Sequence, residues 1–172
     1  TLSQSGGLIR IKARLGCQVS HPCEVVFAAN DVRKILFSGL PTDGEIHIDD
    51  EVLVPHAKPW IPHTHGMPEL YEYSLALETD GKKILLRNGG IGFRDISLNT
   101  ENGLFQLRLN GQAVFARGAV WTINDIVSLN GDRETLRAAL LLARDAGMNM
   151  LRVGGTMVYE QDDFYNLCDE LG

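Results

Sequence analysis

The chain has 172 residues, of which 44% are hydrophobic and 22% charged, a balance typical of a globular protein with one large or two small domains. Its net charge of −6 argues against a nucleic acid or an anionic membrane as partner, because both bind basic surfaces. The longest apolar helical run, residues 136–146, is interrupted by Arg137 and Arg144, so no segment reaches transmembrane length.

The first hundred residues are dominated by segments in which apolar and polar side chains alternate. In residues 8–15, Ile9 and Ile11 alternate with Arg10 and Lys12, and this period of two is typical of a strand with one buried face. Turn signals that contain Gly, Pro and Asp separate these segments. The pattern predicts an antiparallel β-sandwich with no long helix. The predicted strands cover residues 8–15, 23–29, 45–54, 71–77, 82–87 and 90–97, whereas residues 32–37 fit either a strand or a helix.

The pattern changes after about residue 100, where the composition becomes polar over residues 99–103. Beyond this point Asn110-Gly111 separates two short apolar segments, and this dipeptide is a strong signal for a β-hairpin. The change predicts a domain boundary, with one domain at residues 1–101 and a second at residues 102–172.

The second domain begins as an alternation of strands and helices. Asp132 is a suitable N-cap for a helix, and Gly147 is a suitable residue to end it. A strand, a helix and a strand in succession predict a parallel pair joined by a right-handed crossover. The predicted order is a strand at residues 116–121, a helix that starts after residue 132, a strand at residues 148–153 and a helix at residues 162–171.

The cysteines and the N-terminus say little about the compartment. Cys17, Cys23 and Cys168 are too few for a disulfide framework. Cys17 and Cys23 flank a predicted turn and could form a bridge, although free thiols are favoured. Thr1 is not an initiator methionine and no signal peptide follows it, so we expect an excised piece of a longer protein. The compartment stays open between the bacterial cytoplasm and the periplasm or exterior.

A loop rich in Pro, Trp and His precedes the strand predicted at residues 71–77. Pro59 fixes the backbone, and we expect Trp60 to pack over the sandwich as a structural residue. His56, His63 and His65 lie near one another in sequence, and alternate histidines can bind zinc. No cysteine or carboxylate cluster accompanies them. We therefore predict a polar loop, no metal site and no cofactor.

Several strings of residues carry a resemblance to a known family. Residues 105–126, 132–156 and 159–172 follow one another in the family's order, and Gly92-Phe93-Arg94 and the loop at residues 59–71 precede them. Each motif is weak alone, but their order and spacing are specific. The chain resembles family 2 of the glycoside hydrolases, most closely the β-mannosidase branch, over residues 45–172.

The resemblance implies an immunoglobulin-like sandwich followed by an incomplete (β/α)8 TIM-barrel start, in the order βαβα. It implies a retaining exo-β-glycosidase that acts on a carbohydrate, either β-mannosides or related β-linked sugars. Such enzymes need two carboxyl groups, which in this family are glutamates of later barrel strands, the acid/base preceded by Asn. No Asn-Glu dipeptide occurs in the chain. We therefore expect both catalytic residues beyond Gly172 and no activity from these residues alone.

Four residues are candidates for lining the substrate site, because active sites of TIM barrels lie at the C-terminal ends of the strands. Trp121 could stack on a sugar or instead close the barrel core, and Asp125 follows it in the loop. A buried or semi-buried Arg152 needs a carboxylate partner, and the resemblance implies that it helps to keep the nucleophilic glutamate ionised. A structural Asp is the alternative partner. Gly154 stands where mannosidases usually have Trp, which leaves the sugar open.

Two other functions compete with this one. A non-catalytic carbohydrate-binding or spacer module would need no carboxylates, and Tyr71 and Tyr73 on the inward face favour a spacer over a binding module. A nucleotide site at Gly154-Gly155 is rejected, because the spaced glycine fingerprint is missing. Whichever function the chain has, other protein segments must cover the open edges of its two parallel strands. We expect this cover from self-association or from the remainder of the parent chain.

Overall fold

A computed structural model describes residues 2–3, 5–129, 131–155 and 158–172. The chain forms two compact units, one made of Thr1–Lys58 with Tyr71–Phe93 and the other of Pro59–Leu70 with Arg94–Gly172. This division differs from the boundary expected between residues 101 and 102. The loop Pro59–Leu70 joins the second unit because its backbone and side chains are hydrogen-bonded to residues of that unit, as detailed below.

Two antiparallel sheets build the first unit. One sheet has the order β1-β2-β5 and the other β4-β3-β6-β7. The strands predicted at residues 8–15, 23–29, 45–54, 71–77 and 82–87 are confirmed, and residues 32–37 lie in a strand. The strands are β1 (Leu2–Ser3), β2 (Gly6–Gly16), β3 (Cys23–Ala29), β4 (Val32–Gly39), β5 (Glu45–Pro55), β6 (Tyr71–Thr79) and β7 (Lys82–Ile91).

The core of the first unit is formed by side chains from both sheets. In β5, buried Ile46, Ile48, Val52 and Val54 are separated by exposed or half-buried residues, so the alternation in the sequence marks one buried face. They pack with buried residues of the other sheet in two clusters. The partners from the other sheet include Cys23, Val25, Phe27, Ala29, Tyr71 and Leu77.

The end of the first unit differs from the sequence prediction. Residues 90–97 do not form a strand of their own: β7 continues to Ile91, and the next strand begins only at Ile96. The residues between them bend because Phe93 turns into the core, where it is 2% exposed and meets Tyr71 edge-on at 5.5 Å. A Cβ at Gly7 would lie 2.3 Å from the Phe93 ring, so only glycine leaves room for it.

The second unit contains a small antiparallel sheet, a parallel pair and two helices. The predicted hairpin is confirmed, with Asn110 at φ 49° and Gly111 at φ 80° between two antiparallel strands. The sheet has the order β10-β9-β8, and the parallel pair is β11-β12. The elements are β8 (Ile96–Asn99), a 3-10 turn (Glu101–Gly103), β9 (Gln106–Leu109), β10 (Gln112–Ala113), β11 (Gly118–Trp121), α1 (Arg133–Asp145), β12 (Met150–Val153) and α2 (Asp162–Leu171).

Helix α1 begins and ends where local chemistry predicts. Asp132 caps α1 by accepting a hydrogen bond from the Thr135 backbone amide at 2.9 Å. The Thr135 hydroxyl also donates to this carboxylate, which holds the pKa of Asp132 below its usual range. Gly147 at φ 77° ends the helix in a left-handed conformation. The two helices pack through Leu136, Leu140, Phe164 and Leu167, all at most 4% exposed.

The described residues thus form mostly antiparallel sheets with few helices. All three cysteines are free thiols, and burial is the main reason that the pKa of Cys23 is raised, with Cys17 adding to it. Among the described residues no helix is both long and apolar enough to cross a membrane.

Candidate functional site

The parallel strands β11 and β12 have one covered face and one open face. Gly118 pairs with Met150 and Trp121 with Val153. Leu151 and Val153 pack against the cluster between α1 and α2, whereas Val120 and Met150 are 58% and 43% exposed. A Cβ at Gly118 would lie 1.7 Å from the Met150 carbonyl oxygen, so glycine allows the two strands to approach.

Trp121 lies on the covered face. Its ring centroid is 5.0 Å from that of Phe164, and its Nε1–H donates to Glu160 Oε1 at 2.8 Å. The side chain is half-buried and packs against the helix cluster. This geometry corresponds to the core-packing alternative. Stacking on a sugar would require an open ring face.

Asp125 shapes the loop that follows β11. Its carboxylate accepts hydrogen bonds from the Val127 backbone amide at 2.8 Å and from the Ser128 hydroxyl at 2.7 Å. These bonds, that from Ser128 above all, lower the pKa of Asp125. Asp125 is exposed. An ionised carboxylate with these local partners is suited to holding a turn.

Arg152 is exposed on the same strand as two covered neighbours. The expectation of a buried or semi-buried guanidinium is therefore wrong for this chain, because Arg152 alternates with Leu151 and Val153 and points away from the helices. Within the described part of the chain no carboxylate forms an ion pair with it. Gly154 follows directly after β12, whereas Thr156, also part of this motif, lies outside the described residues.

The candidates are therefore clustered at one end of two strands but do not share one face. Trp121 faces the helices, Arg152 belongs to the open side, and Asp125 and Gly154 lie in the loops that follow the strands. Glu160 is a residue that the sequence analysis did not single out. It precedes α2 and binds Trp121. The available signal was its position beside Tyr159 in the loop that follows β12.

Trp60 anchors the loop at residues 59–70 inside the second unit. Its ring is 8% exposed, its Nε1–H donates to the Asp169 carbonyl at 2.8 Å, and the Arg94 guanidinium lies 4.7 Å from the ring centroid. Arg94 also pairs with the Asp169 carboxylate at 3.3 Å. The expected packing of Trp60 over the sandwich is replaced by this contact with α2, because the indole N–H finds a carbonyl partner at the helix end.

Asn149 connects the same loop to both parallel strands. Its Oδ1 accepts from the Arg117 backbone amide at 2.9 Å, and its Nδ2 donates to the Phe115 carbonyl at 3.1 Å and to Thr64 Oγ1 at 3.0 Å. Nearby, His63 Nε2 lies 2.7 Å from the Met148 carbonyl oxygen. The amide side chain therefore joins three segments distant in sequence.

A cavity of about 430 Å³ lies beside these residues. Its walls are mainly apolar and come from α1, β12 and α2, and Trp60 and Arg94 also line it. Cys168 lines it, and burial raises the pKa of this thiol to about 11. Among the described residues no group of three or more His, Cys, Asp or Glu is arranged to hold a metal ion. The cavity thus offers mainly apolar surface, and its polar lining includes His63, Arg144 and Asn149.

Comparisons with known proteins identify relatives over most of the chain. No protein-family model matches. The "Beta-mannosidase" of Capra hircus is 35% identical over 133 residues, which is 74% of this chain and 15% of that protein. That of Rattus norvegicus is 38% identical over 119 residues, 66% of this chain and 14% of that protein. The chain therefore spans about a seventh of the length of the curated relatives that it matches.

Solved structures agree with this relationship. A β-D-mannosidase from Dictyoglomus thermophilum matches 98% of this chain and 22% of its own, with TM-score 0.78 and 29% identity. An exo-chitosanase from Amycolatopsis orientalis matches all of this chain and 20% of its own, with TM-score 0.81. At 19% identity the second match concerns the fold alone.

Proposed function

This chain belongs to the β-mannosidase-like branch of glycoside hydrolase family 2, and on that basis we propose that the complete protein is a retaining exo-β-glycosidase. Its substrates would be β-mannosides or related β-linked sugars. The observation that carries the proposal is the identity of 35% to a β-mannosidase over 133 residues. Because the chain spans 15% of that relative, the activity belongs to a longer protein in this proposal.

The proposed fold assigns a role to each unit. The first unit would be an immunoglobulin-like sandwich, supported by its two antiparallel sheets around a common core. The segment from β11 to α2 would begin a (β/α)8 TIM barrel, supported by a parallel pair with both helices on one face. In this proposal the boundary expected at residue 101 moves to Phe93, and the loop Pro59–Leu70 serves the barrel.

Arg152 would be the active-site residue of this segment. Barrel interiors are lined by the strand face opposite the helices, and Arg152 belongs to that face. A positive charge within about 4–6 Å of a carboxyl group favours its ionised form. Arg152 would therefore keep the nucleophilic glutamate ionised. Trp121, Asp125 and Gly154 would shape the same end of the barrel, and both catalytic glutamates would lie outside these 172 residues.

The open face of the parallel pair would be covered in the working protein. Val120 and Met150 expose apolar surface there, and parallel sheets are normally covered on both faces. We propose that the rest of the barrel covers it, and that the 172-residue chain alone self-associates. Light scattering should give a mass above 19.0 kDa for the wild-type chain. The variant Val120→Lys/Met150→Lys should be monomeric, and a stable wild-type monomer would refute the idea.

Activity assays test the main proposal directly. The complete protein should release p-nitrophenol from an aryl β-mannoside or a related aryl β-glycoside, and the first sugar released should be the β-anomer by NMR. The 172-residue chain is the matched control and should show no turnover, because it lacks the paired glutamates. If the complete protein is inactive on every β-glycoside tested, the proposal is refuted. Turnover by the repurified 172-residue chain would also refute it.

The alternative of a non-catalytic module is supported less well. A carbohydrate-binding sandwich needs exposed aromatic rings in one plane, whereas Tyr71 is 8% exposed and Tyr73 packs on the same core cluster. These two rings are therefore unavailable for binding a sugar. A spacer role for the first unit is compatible with the enzyme, because the spacer would simply support the barrel.

A further inference from the structure

A side-chain hydrogen bond ties the loop between β12 and α2 to the neighbouring strand. Trp121 is the last residue of β11, and its Nε1–H donates to Glu160 Oε1 at 2.8 Å. Glu160 immediately precedes Gln161, the N-cap of α2. The bond is charge-assisted and thus stronger than a neutral one. It therefore fixes the end of this loop beside the C-terminal end of β11.

The residue next to this attachment is an exposed aromatic. Tyr159 is 76% exposed, although its neighbour Glu160 is half-buried. An aromatic ring that is exposed to solvent contributes no stability through core packing. Its backbone position is nevertheless restricted, because the adjacent side chain is bound to Trp121. The loop thus presents a ring at a defined place.

The ring of Tyr159 lies at the end of the parallel strands where α/β folds bind ligands. Ligands of barrels and open parallel sheets lie beyond the carboxyl ends of the strands. An aromatic face carries partial negative charge, which attracts the positively polarised C–H groups on one side of a pyranose ring. A free tyrosine ring at this end is therefore chemically suited to a saccharide.

We propose that Tyr159 is a saccharide-contacting residue of the enzyme and that Glu160 is a positioning residue that acts through Trp121. The proposal rests on the proposed glycosidase function and adds a site to it. Glu160 does not touch the sugar in this scheme. Its role is to keep the loop against β11, so that the ring of Tyr159 meets the substrate in one orientation.

Kinetics of the complete protein test Tyr159. Tyr159→Ala should raise KM for an oligosaccharide about threefold to tenfold with little change in kcat, the size expected for one aromatic contact made equally in ground and transition states. Tyr159→Phe keeps the ring and should behave as wild type. Phe115→Ala is the matched control. Phe115 is 79% exposed but lies before β11, at the other end of the strands, so KM should not change.

The positioning role of Glu160 has its own test. Glu160→Gln retains an oxygen that accepts the indole N–H, so it should keep KM within about twofold of wild type, whereas Glu160→Ala should match Tyr159→Ala. In the 172-residue chain, Trp60→Phe leaves Trp121 as the only tryptophan. Its emission should shift in Glu160→Ala, which removes the acceptor of the indole N–H, and should stay close to wild type in Glu160→Gln.

The outcomes separate this inference from the proposed function. If wild-type enzyme is active and Tyr159→Ala leaves KM unchanged, the saccharide contact is refuted while the glycosidase stands. If Glu160→Ala leaves KM at its wild-type value, or leaves the Trp121 emission unchanged, the positioning role is refuted. If the complete wild-type protein hydrolyses no β-glycoside, the function itself has failed.

Discussion

Both units contain strands with apolar side chains, but the units differ in how completely those side chains are buried. In the first unit, side chains of two sheets face each other, and β5 alone contributes four buried aliphatic residues to the shared core. In the second unit, two helices cover one face of a two-stranded parallel sheet and leave Val120 and Met150 exposed on the other. Antiparallel sheets can complete a core with nearby strands, whereas a parallel pair needs further strands and cover.

The difference also shows in the exposed apolar residues. Phe105, Phe115, Val127, Leu142 and Tyr159 of the second unit are each at least 74% exposed. In the first unit the exposed large hydrophobic residues are less extreme, with Leu40 at 57% the most exposed in the described part. Large exposed apolar surface marks sites of association or ligand binding. The second unit is thus where function and partners are to be sought.

The largest effect is expected in the core of the first unit. Phe27 is 2% exposed and stacks on Tyr73 at 5.9 Å. Phe27→Ala should lower the free energy of unfolding by about 3–5 kcal/mol, because it removes buried area and leaves a cavity. Urea unfolding followed by circular dichroism measures it. The control Phe105→Ala removes a ring that is 84% exposed and should have little effect. Equal losses would contradict a closed core here.

A slightly smaller loss is expected in the core between the helices. Leu167 is 0% exposed, and Leu167→Ala should cost about 2–5 kcal/mol. Hydrogen exchange should show the loss in α1, α2 and β12. Leu142→Ala on α1 is the matched control, since this leucine is 74% exposed. Unchanged protection in the helices of Leu167→Ala would mean that this small cluster does not stabilise the second unit.

The substitution of Asn149 should have an intermediate effect on stability, because it removes hydrogen bonds rather than buried apolar surface. Asn149→Ala removes one acceptor and two donated hydrogen bonds, and it leaves the Arg117 amide without this partner. The expected cost is about 1–3 kcal/mol. Asn166→Ala, an exposed site on α2, should cost nothing. Thermal unfolding compares the two, and similar Tm values would show that the loop is held by other contacts.

The smallest effect concerns the thiol of Cys168. Burial raises its pKa to about 11 from an ordinary value of 9.0, with Asp169 and Glu160 contributing. Because the folded-state pKa is higher, this group stabilises the fold fully below pH 9 and loses that contribution as the pH rises towards 11. Native Cys168 should therefore react with iodoacetamide at pH 8 more slowly than in urea. Mass spectrometry of the peptide that contains Cys168 reports the rates, and equal rates would refute its burial.

Sequence patterns predicted most elements because each depends on neighbours along the chain. The Asn110-Gly111 turn and the Asp132 cap are settled by contacts within a few residues. The split of residues 82–97 was predicted wrongly, since the bend depends on Phe93 entering a distant core. Local composition carries no signal for such an event.

The candidate site also has features that the sequence predicted and features that it did not. The sequence predicted strands that end at Trp121 and Val153, and β11 and β12 end at these residues. It did not determine which face each side chain uses, because that depends on where the helices pack. Glu160 was missed for the same reason. Its role depends on a partner that is 39 residues away in the chain.

The sequence by itself determined the elements, the alternation that marks buried faces and the family, because propensities, caps and ordered motifs are properties of consecutive residues. Only the tertiary structure decided that the loop Pro59–Leu70 joins the second unit, that Trp60 binds the end of α2 and that Arg152 is exposed while Trp121 is covered. These features depend on contacts between residues that are distant in sequence. Such contacts form only when packing brings hydrogen-bond donors and acceptors together.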